Sequence, residues 1–175
     1  SKEIHAGEWM KTSTNCTEVR GKTLGIVGYG HVGSQVGVLA EALGIKVLFF
    51  DQVSIMPIGN SVAVTSLEEL LEKSDFVSIN ITHCQENKGI FDVEQFRSMK
   101  KGAFLINAGF GDAVNPKSLA DAIKSGHLGG AAIDVFPEGV VPSKGVSKFV
   151  SPLQNLPNVI LTPSYGLLHD TLLYF

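Results

Sequence analysis

Cysteine is scarce in this chain: 175 residues hold two, Cys16 and Cys84. They form no C-x-x-C pair and no metal-ligand spacing, which reads as free thiols in a reducing, cytoplasmic compartment and excludes a disulfide scaffold or a zinc module. Arginine is equally rare, with only Arg20 and Arg97, and the net charge is -3. That balance excludes a general nucleic-acid or membrane-surface binder. No apolar run reaches membrane-spanning length, no signal peptide is visible, and there is no repeat or low-complexity tract. Tryptophan occurs once, as Trp9. What the chain has in quantity is glycine, 19 residues, and apolar side chains, 44% of the total. At this length the prior is one globular domain with a real core and many tight turns.

The most informative glycines are in Gly28-Tyr29-Gly30-His31-Val32-Gly33. An apolar run, Leu24-Gly25-Ile26-Val27, precedes them. Val32, Val36, Leu39 and Leu43 follow at helical spacing, and Gly44 ends the run. A second apolar run, Lys46–Phe50, stops at Asp51. The order strand, Gly-rich turn, helix, strand, acid is the dinucleotide-binding βαβ unit. Gly28 permits the tight turn, Gly30 lets the backbone approach a pyrophosphate, and Gly33 lets helix and strand pack closely. The first helical N–H groups then face the phosphates. Asp51 is placed to accept from ribose hydroxyls and to repel a 2′-phosphate, which selects NAD over NADP. An ordinary ligand-free βα turn explains the glycines but not the position of the acid.

Further elements alternate. Ser66-Leu67-Glu68-Glu69 predicts a capped helix. Phe76–Ile81 predicts a strand, Val93, Phe96 and Met99 a short helix, and Ala103–Asn107 a strand. Asn115-Pro116 opens a helix that stops before Gly126. Gly130–Val135 and Val159–Thr162 predict two more strands. Nearly all-apolar strands alternating with helices predict an α/β, Rossmann-type doubly wound parallel sheet with helices on both faces.

These motifs resemble the D-isomer-specific 2-hydroxyacid dehydrogenases, and within them the phosphoglycerate branch. The resemblance rests on Gly21–Gln35, Gln95–Lys100, Leu105-Ile106-Asn107-Ala108, Ala131–Pro137 and Leu161-Thr162-Pro163, in that order. It covers only the family's nucleotide-binding domain. It implies NAD as cofactor, with Gly28, Tyr29, Gly30, His31, Val32, Gly33, Asp51, Ala108 and Asp134 as its contacts and no metal. It divides the chain into an N-terminal arm over residues 1–20, a dinucleotide-binding domain over 21–166 and the start of a return helix over 167–175. Both ends read as cut from a longer chain. It further implies a homodimer through the arm, with Trp9 as an aromatic anchor.

The same resemblance exposes three departures. Phe110 stands where the family places its substrate-binding arginine, and a phenyl ring cannot hold a carboxylate with paired hydrogen bonds. Ser164 stands where the family has its catalytic histidine, and a hydroxyl has no pKa near neutrality. Gly139 stands where a glutamate orients that histidine. Asp112 adds a negative charge beside Phe110. Asn80-Ile81-Thr82 and Leu167 also depart from the family along the cofactor cleft. The expectation is a catalytically silent NAD-binding domain used as a binding or assembly module, with a protein partner or the rest of a longer chain. The alternatives are the cofactor-binding half of an active 2-hydroxyacid dehydrogenase and an NAD(H)-responsive interaction domain.

Overall fold

The computed structural model describes residues 2–9, 17–137 and 148–164. A short helix α1, Lys2–His5, lies in the arm. From there the chain runs β1 (Thr23–Val27), α2 (His31–Ala42), β2 (Lys46–Phe50), β3 (Val62–Ala63), α3 (Leu67–Lys73), β4 (Phe76–Ile79), α4 (Val93–Ser98), β5 (Phe104–Asn107), α5 (Pro116–Lys124), β6 (Gly130–Ile133) and β7 (Val159–Leu161). All seven strands are parallel, in the order β3-β2-β1-β4-β5-β6-β7. The order reverses between β1 and β4. In sheets of this kind ligands bind in the crevice outside the carboxyl ends of the strands at that point.

Local chemistry sets the helix ends. Ser66 Oγ accepts the Glu69 N–H at 3.1 Å and starts α3. The Glu69 carboxylate turns instead to the Thr65 N–H and hydroxyl and to Lys73, so the expected capping box closes on one side only. Asp92 and Gln95 form a complete box at the start of α4. Asn115 Oδ1 accepts the N–H groups of Lys117 and Ser118 ahead of Pro116, as the sequence predicts for α5.

The core is split by the sheet. One face carries the larger cluster, with Val77, Ile79, Leu105, Ala131 and Ile133 under Leu70, Leu71, Phe96 and Leu119 of α3, α4 and α5. The other face packs Leu24, Ile26, Val47 and Phe49 against α2. Of the four apolar residues that announce α2, only Val36 packs toward the sheet. Val32, Leu39 and Leu43 are 65%, 66% and 60% exposed, and Gly33, Ser34, Gly37 and Ala40 meet the sheet. Small residues bring the helix axis close to the strands. Gly33 requires this most strictly, because a Cβ there would collide with the Gly28 carbonyl oxygen.

Asp75 ties the amino ends of three strands together. Its Oδ2 accepts the Thr23 N–H at 2.8 Å, its Oδ1 accepts from Lys100 Nζ at 2.9 Å, and its carbonyl oxygen accepts the Phe104 N–H. Among the described residues no helix is long and apolar enough to cross a membrane.

Candidate functional site

The carboxyl edge of the sheet gathers the predicted residues. Gly28 has φ +88° and donates its N–H to the Phe50 carbonyl at 2.9 Å, which bends the turn after β1 toward the end of β2. A side chain at Gly28 would meet the Asn80 backbone as well, so only glycine fits. Asp51 stands at that edge. Its Oδ2 accepts the Tyr29 N–H at 2.7 Å and its Oδ1 accepts the Val53 N–H at 3.1 Å. Two backbone donors thus fix the carboxylate's orientation, while each oxygen keeps a further lone pair.

Gly30 caps α2 without a side-chain hydrogen bond, and the first turn holds no acid. A Cβ at Gly30 would point into open space, with nothing within 4 Å. The N-terminus of this 12-residue helix therefore presents free N–H groups and the positive end of its dipole to the crevice. Val27, Gly28, Gly30, Asp51, Asn80 and Thr82 are among the residues lining a cleft of about 300 Å³ at this point.

Further along the edge, backbone hydrogen bonds tie the ends of three strands into a row. The Asp134 N–H donates to the Asn107 carbonyl at 2.9 Å, and the Ser164 N–H donates to the Asp134 carbonyl at 2.8 Å. Ser164 is left-handed, with φ +58°. Asp134 Oδ1 accepts from Thr162 Oγ1 at 2.5 Å. Ala108 is exposed just past β5. Asn107 is buried; its Nδ2 donates to the Phe110 carbonyl at 2.9 Å and its Oδ1 accepts the Gly109 N–H at 3.2 Å. The Phe110 ring is 5% exposed, joins the larger core cluster and meets the His83 ring edge-on at 4.5 Å. Asp112 pairs with Lys88 at 3.4 Å.

Not every predicted contact is delivered by its side chain. The Tyr29 ring is buried, stacked on Phe49 at 3.7 Å beneath α2, and its hydroxyl finds no hydrogen-bond partner among the described residues. Only the Tyr29 backbone faces the crevice edge. His31 and Val32 are exposed at the start of α2. Gly139 and residues 167–175 lie outside the described residues. The described residues contain no group of three or more His, Cys, Asp or Glu able to hold a metal. Two positioning residues escape a motif-level reading. Thr162 lies within Leu161-Thr162-Pro163 and Asn107 within Asn107-Ala108; both motifs are visible, but which partner each side chain takes is not.

A switch-point crevice with an uncapped glycine turn and an oriented acid defines a dinucleotide-binding α/β domain. Residues 1–166 match the family described as D-isomer specific 2-hydroxyacid dehydrogenase, NAD binding domain, and the chain belongs to that family. D-3-phosphoglycerate dehydrogenase of Dictyostelium discoideum is 48% identical over 166 residues, covering 95% of this chain and 40% of that protein. The enzyme of the same name from Haemophilus influenzae is 48% identical over 164 residues, covering 94% and 40%. The chain thus spans about two-fifths of the length of these relatives. Among solved structures, an NAD-dependent formate dehydrogenase from Staphylococcus aureus in complex with NAD superposes with a TM-score of 0.81 at 27% identity, over 94% of this chain and 48% of that one. A glyoxylate reductase from Paecilomyes thermophila gives 0.80 at 30%, over 94% and 48%. The family's cofactor is NAD.

Proposed function

We propose that this chain is the cofactor-binding portion of an NAD-dependent D-2-hydroxyacid dehydrogenase of the 3-phosphoglycerate type. One observation carries the reading: the Asp51 carboxylate, held by two backbone N–H groups, stands beside the free N-terminus of α2 at the mouth of the cleft. NAD supplies the hydride acceptor when bound. Asp51 accepts from the adenosine ribose hydroxyls and disfavours a 2′-phosphate. The N–H groups at the start of α2 hold the pyrophosphate, and open space at Gly30 admits it. Asp134, fixed by Thr162, and Ala108 follow β6 and β5 further along the same carboxyl edge, and on this reading they meet the nicotinamide. Titration of the chain with NADH and with NADPH tests this. Saturable NADH binding at least tenfold tighter than NADPH is expected, and binding of neither sinks the reading.

A second reading is favoured by Phe110. Its ring lies in the core where the family resemblance calls for a cation, and Ser164 occupies the position of the base. On this reading the domain binds NAD(H) without turning over a hydroxy acid and serves a protein partner or the rest of a longer chain. Both readings place the protein in the cytoplasm. Both include pairing of two copies through the arm, where Trp9 is 83% exposed.

A further inference from the structure

The cleft at the glycine turn combines apolar walls with hydrogen-bond acceptors whose direction is fixed. It spans the end of β1, between the ends of β2 and β4. Val27, Phe50, Leu67, Ile81 and Ile90 supply the walls, and no Lys, Arg or His is among the described residues that line it. Asp51 brings its oriented carboxylate. Gln52 and Thr82 are exposed. Two further polar side chains line the cleft, Asn80 and Asn87, and both amides are anchored.

Asn80 follows β4 and donates its Nδ2 to Ser78 Oγ at 3.0 Å and to the Ser78 carbonyl at 3.3 Å. Asn87 closes the 3-10 turn Gln85–Asn87 and donates its Nδ2 to the Thr82 carbonyl at 2.9 Å. A carbonyl oxygen only accepts. In both residues the amide nitrogen must therefore face the backbone, and Oδ1 points elsewhere. No described hydrogen bond ends on either Oδ1. The cleft thus asks its ligand for donors. Asn80 sits against the turn, where a Cβ at Gly28 would come within 2.7 Å of its carbonyl oxygen. Asn87 is only 8% exposed, and what remains accessible of it lines the cleft.

We propose that Asn87 reads the base of the dinucleotide: its Oδ1 accepts from the exocyclic amine of adenine and rejects a purine that carries a carbonyl oxygen at that position. The inference rests on the cofactor reading above, with the ribose on Asp51 and the pyrophosphate at the start of α2. The base joined to that ribose then enters the apolar part of the same cleft. Adenine offers two apolar faces to the walls and a donor edge to an acceptor. Hypoxanthine has the same ring system, but its oxygen in place of the amine sets lone pairs against those of Asn87. A nearly buried acceptor left facing another acceptor is costly. A mere clamp on the loop after β4 needs the Asn87 nitrogen alone and leaves its Oδ1 without a task. On this account Asp51 selects the sugar and Asn87 selects the base.

The test is fluorescence titration of the 175-residue chain with NADH and with reduced nicotinamide hypoxanthine dinucleotide, which differ only at the 6-position of the purine. The unchanged chain is expected to bind NADH tighter by about tenfold or more. Asn87→Ala should bring the ratio of the two constants close to one. It also removes the bond to Thr82 and weakens both dinucleotides, so the ratio is the readout that a clamp on the loop would not move. Asn87→Asp keeps an acceptor and should keep the preference for NADH. Asn80→Ala, beside the turn, should leave the ratio unchanged. Circular dichroism on each sample establishes that it is folded. Equal affinity for the two dinucleotides in the unchanged chain would overturn this inference and leave the cofactor reading standing. A preference that persists in Asn87→Ala would do the same. Binding of neither dinucleotide would overturn the cofactor reading and this inference with it. If Asn87→Ala does not fold, Asn87→Asp and the unchanged chain decide: loss of the preference in the aspartate variant overturns the assignment.

Discussion

The carboxylate of Asp51 and the backbone N–H of Tyr29 meet at 2.7 Å, joining the end of β2 to the middle of the glycine turn after β1. The acid that would select the ribose is thus also the acid that holds the phosphate loop in place. A substitution at Asp51 acts on both.

Asp51→Ala is accordingly expected to weaken NADH binding by more than tenfold, about 1.4 kcal/mol or more. It should weaken NADPH binding less, because repulsion of the 2′-phosphate disappears with the charge. Fluorescence titration with both nucleotides checks this. An unchanged preference for NADH would remove Asp51 from the site.

Gly30→Ala and Gly33→Ala should separate binding from folding. Gly30 has an ordinary φ of -72° and open space around it, so alanine there should cost less than about 1 kcal/mol of stability. It would still narrow the approach of a pyrophosphate and lower NADH affinity. Gly33→Ala drives a methyl group into the Gly28 carbonyl and should cost about 1–3 kcal/mol. Denaturant melts paired with NADH titrations measure both effects.

The strand clamp at Asp75 predicts a pH dependence. Burial raises its pKa, but hydrogen bonds from Lys100 and Thr23 and the charges of Lys100 and Lys22 together outweigh that and hold it below the usual 3.8. A group depressed in the folded state contributes stability above its unfolded pKa and loses it as pH falls through the folded value. Stability should therefore decline below about pH 4, with Asp75 contributing to the fall. Asp75→Asn should destabilise the domain near neutrality by about 1–2 kcal/mol and flatten that acid limb. Urea unfolding at a series of pH values gives the comparison.

With its described cleft open and Phe110 in the core, the chain by itself should release no measurable NADH from 3-phosphoglycerate or other 2-hydroxy acids. Loss of a general base alone costs about a hundredfold to ten-thousandfold. Turnover abolished by Gly30→Ala or Asp51→Ala would establish the active-enzyme reading over the silent one.

Trp9→Ala addresses the arm. If the arm pairs two copies, truncation of this exposed ring should raise the dimer dissociation constant by tenfold or more, as for an interface anchor. Sedimentation with and without the substitution decides, and an unchanged constant would leave Trp9 outside the interface.

Much of the fold is legible because its punctuation is local. Gly28, the Asn115-Pro116 pair and the acid after Phe50 each satisfy a backbone requirement that a neighbouring residue announces. Strand β3 escapes because two residues, Val62 and Ala63, carry no periodicity. The orientation of α2 escapes for another reason. Hydrophobic spacing reports the larger side chains, but close approach to the sheet selected the smaller ones, Gly33, Gly37 and Ala40. Tyr29 shows the same limit within the site. Its place between two glycines says nothing about whether its ring enters the crevice or turns under the helix to Phe49. Thr162 and Asn107 were visible only as motif letters, since hydrogen bonds between strand ends depend on a register set across the sheet.

Asn107 holds the turn after β5 through its own side chain, by the Phe110 carbonyl and the Gly109 N–H, and neither bond involves the side chain at position 110. The loop is consequently a socket whose shape is set from behind. What stands in it can change from a charged fork to a phenyl ring without redrawing the backbone. In such an arrangement chemistry can be lost, or altered, faster than architecture, and a domain can keep its outline long after its reaction has changed.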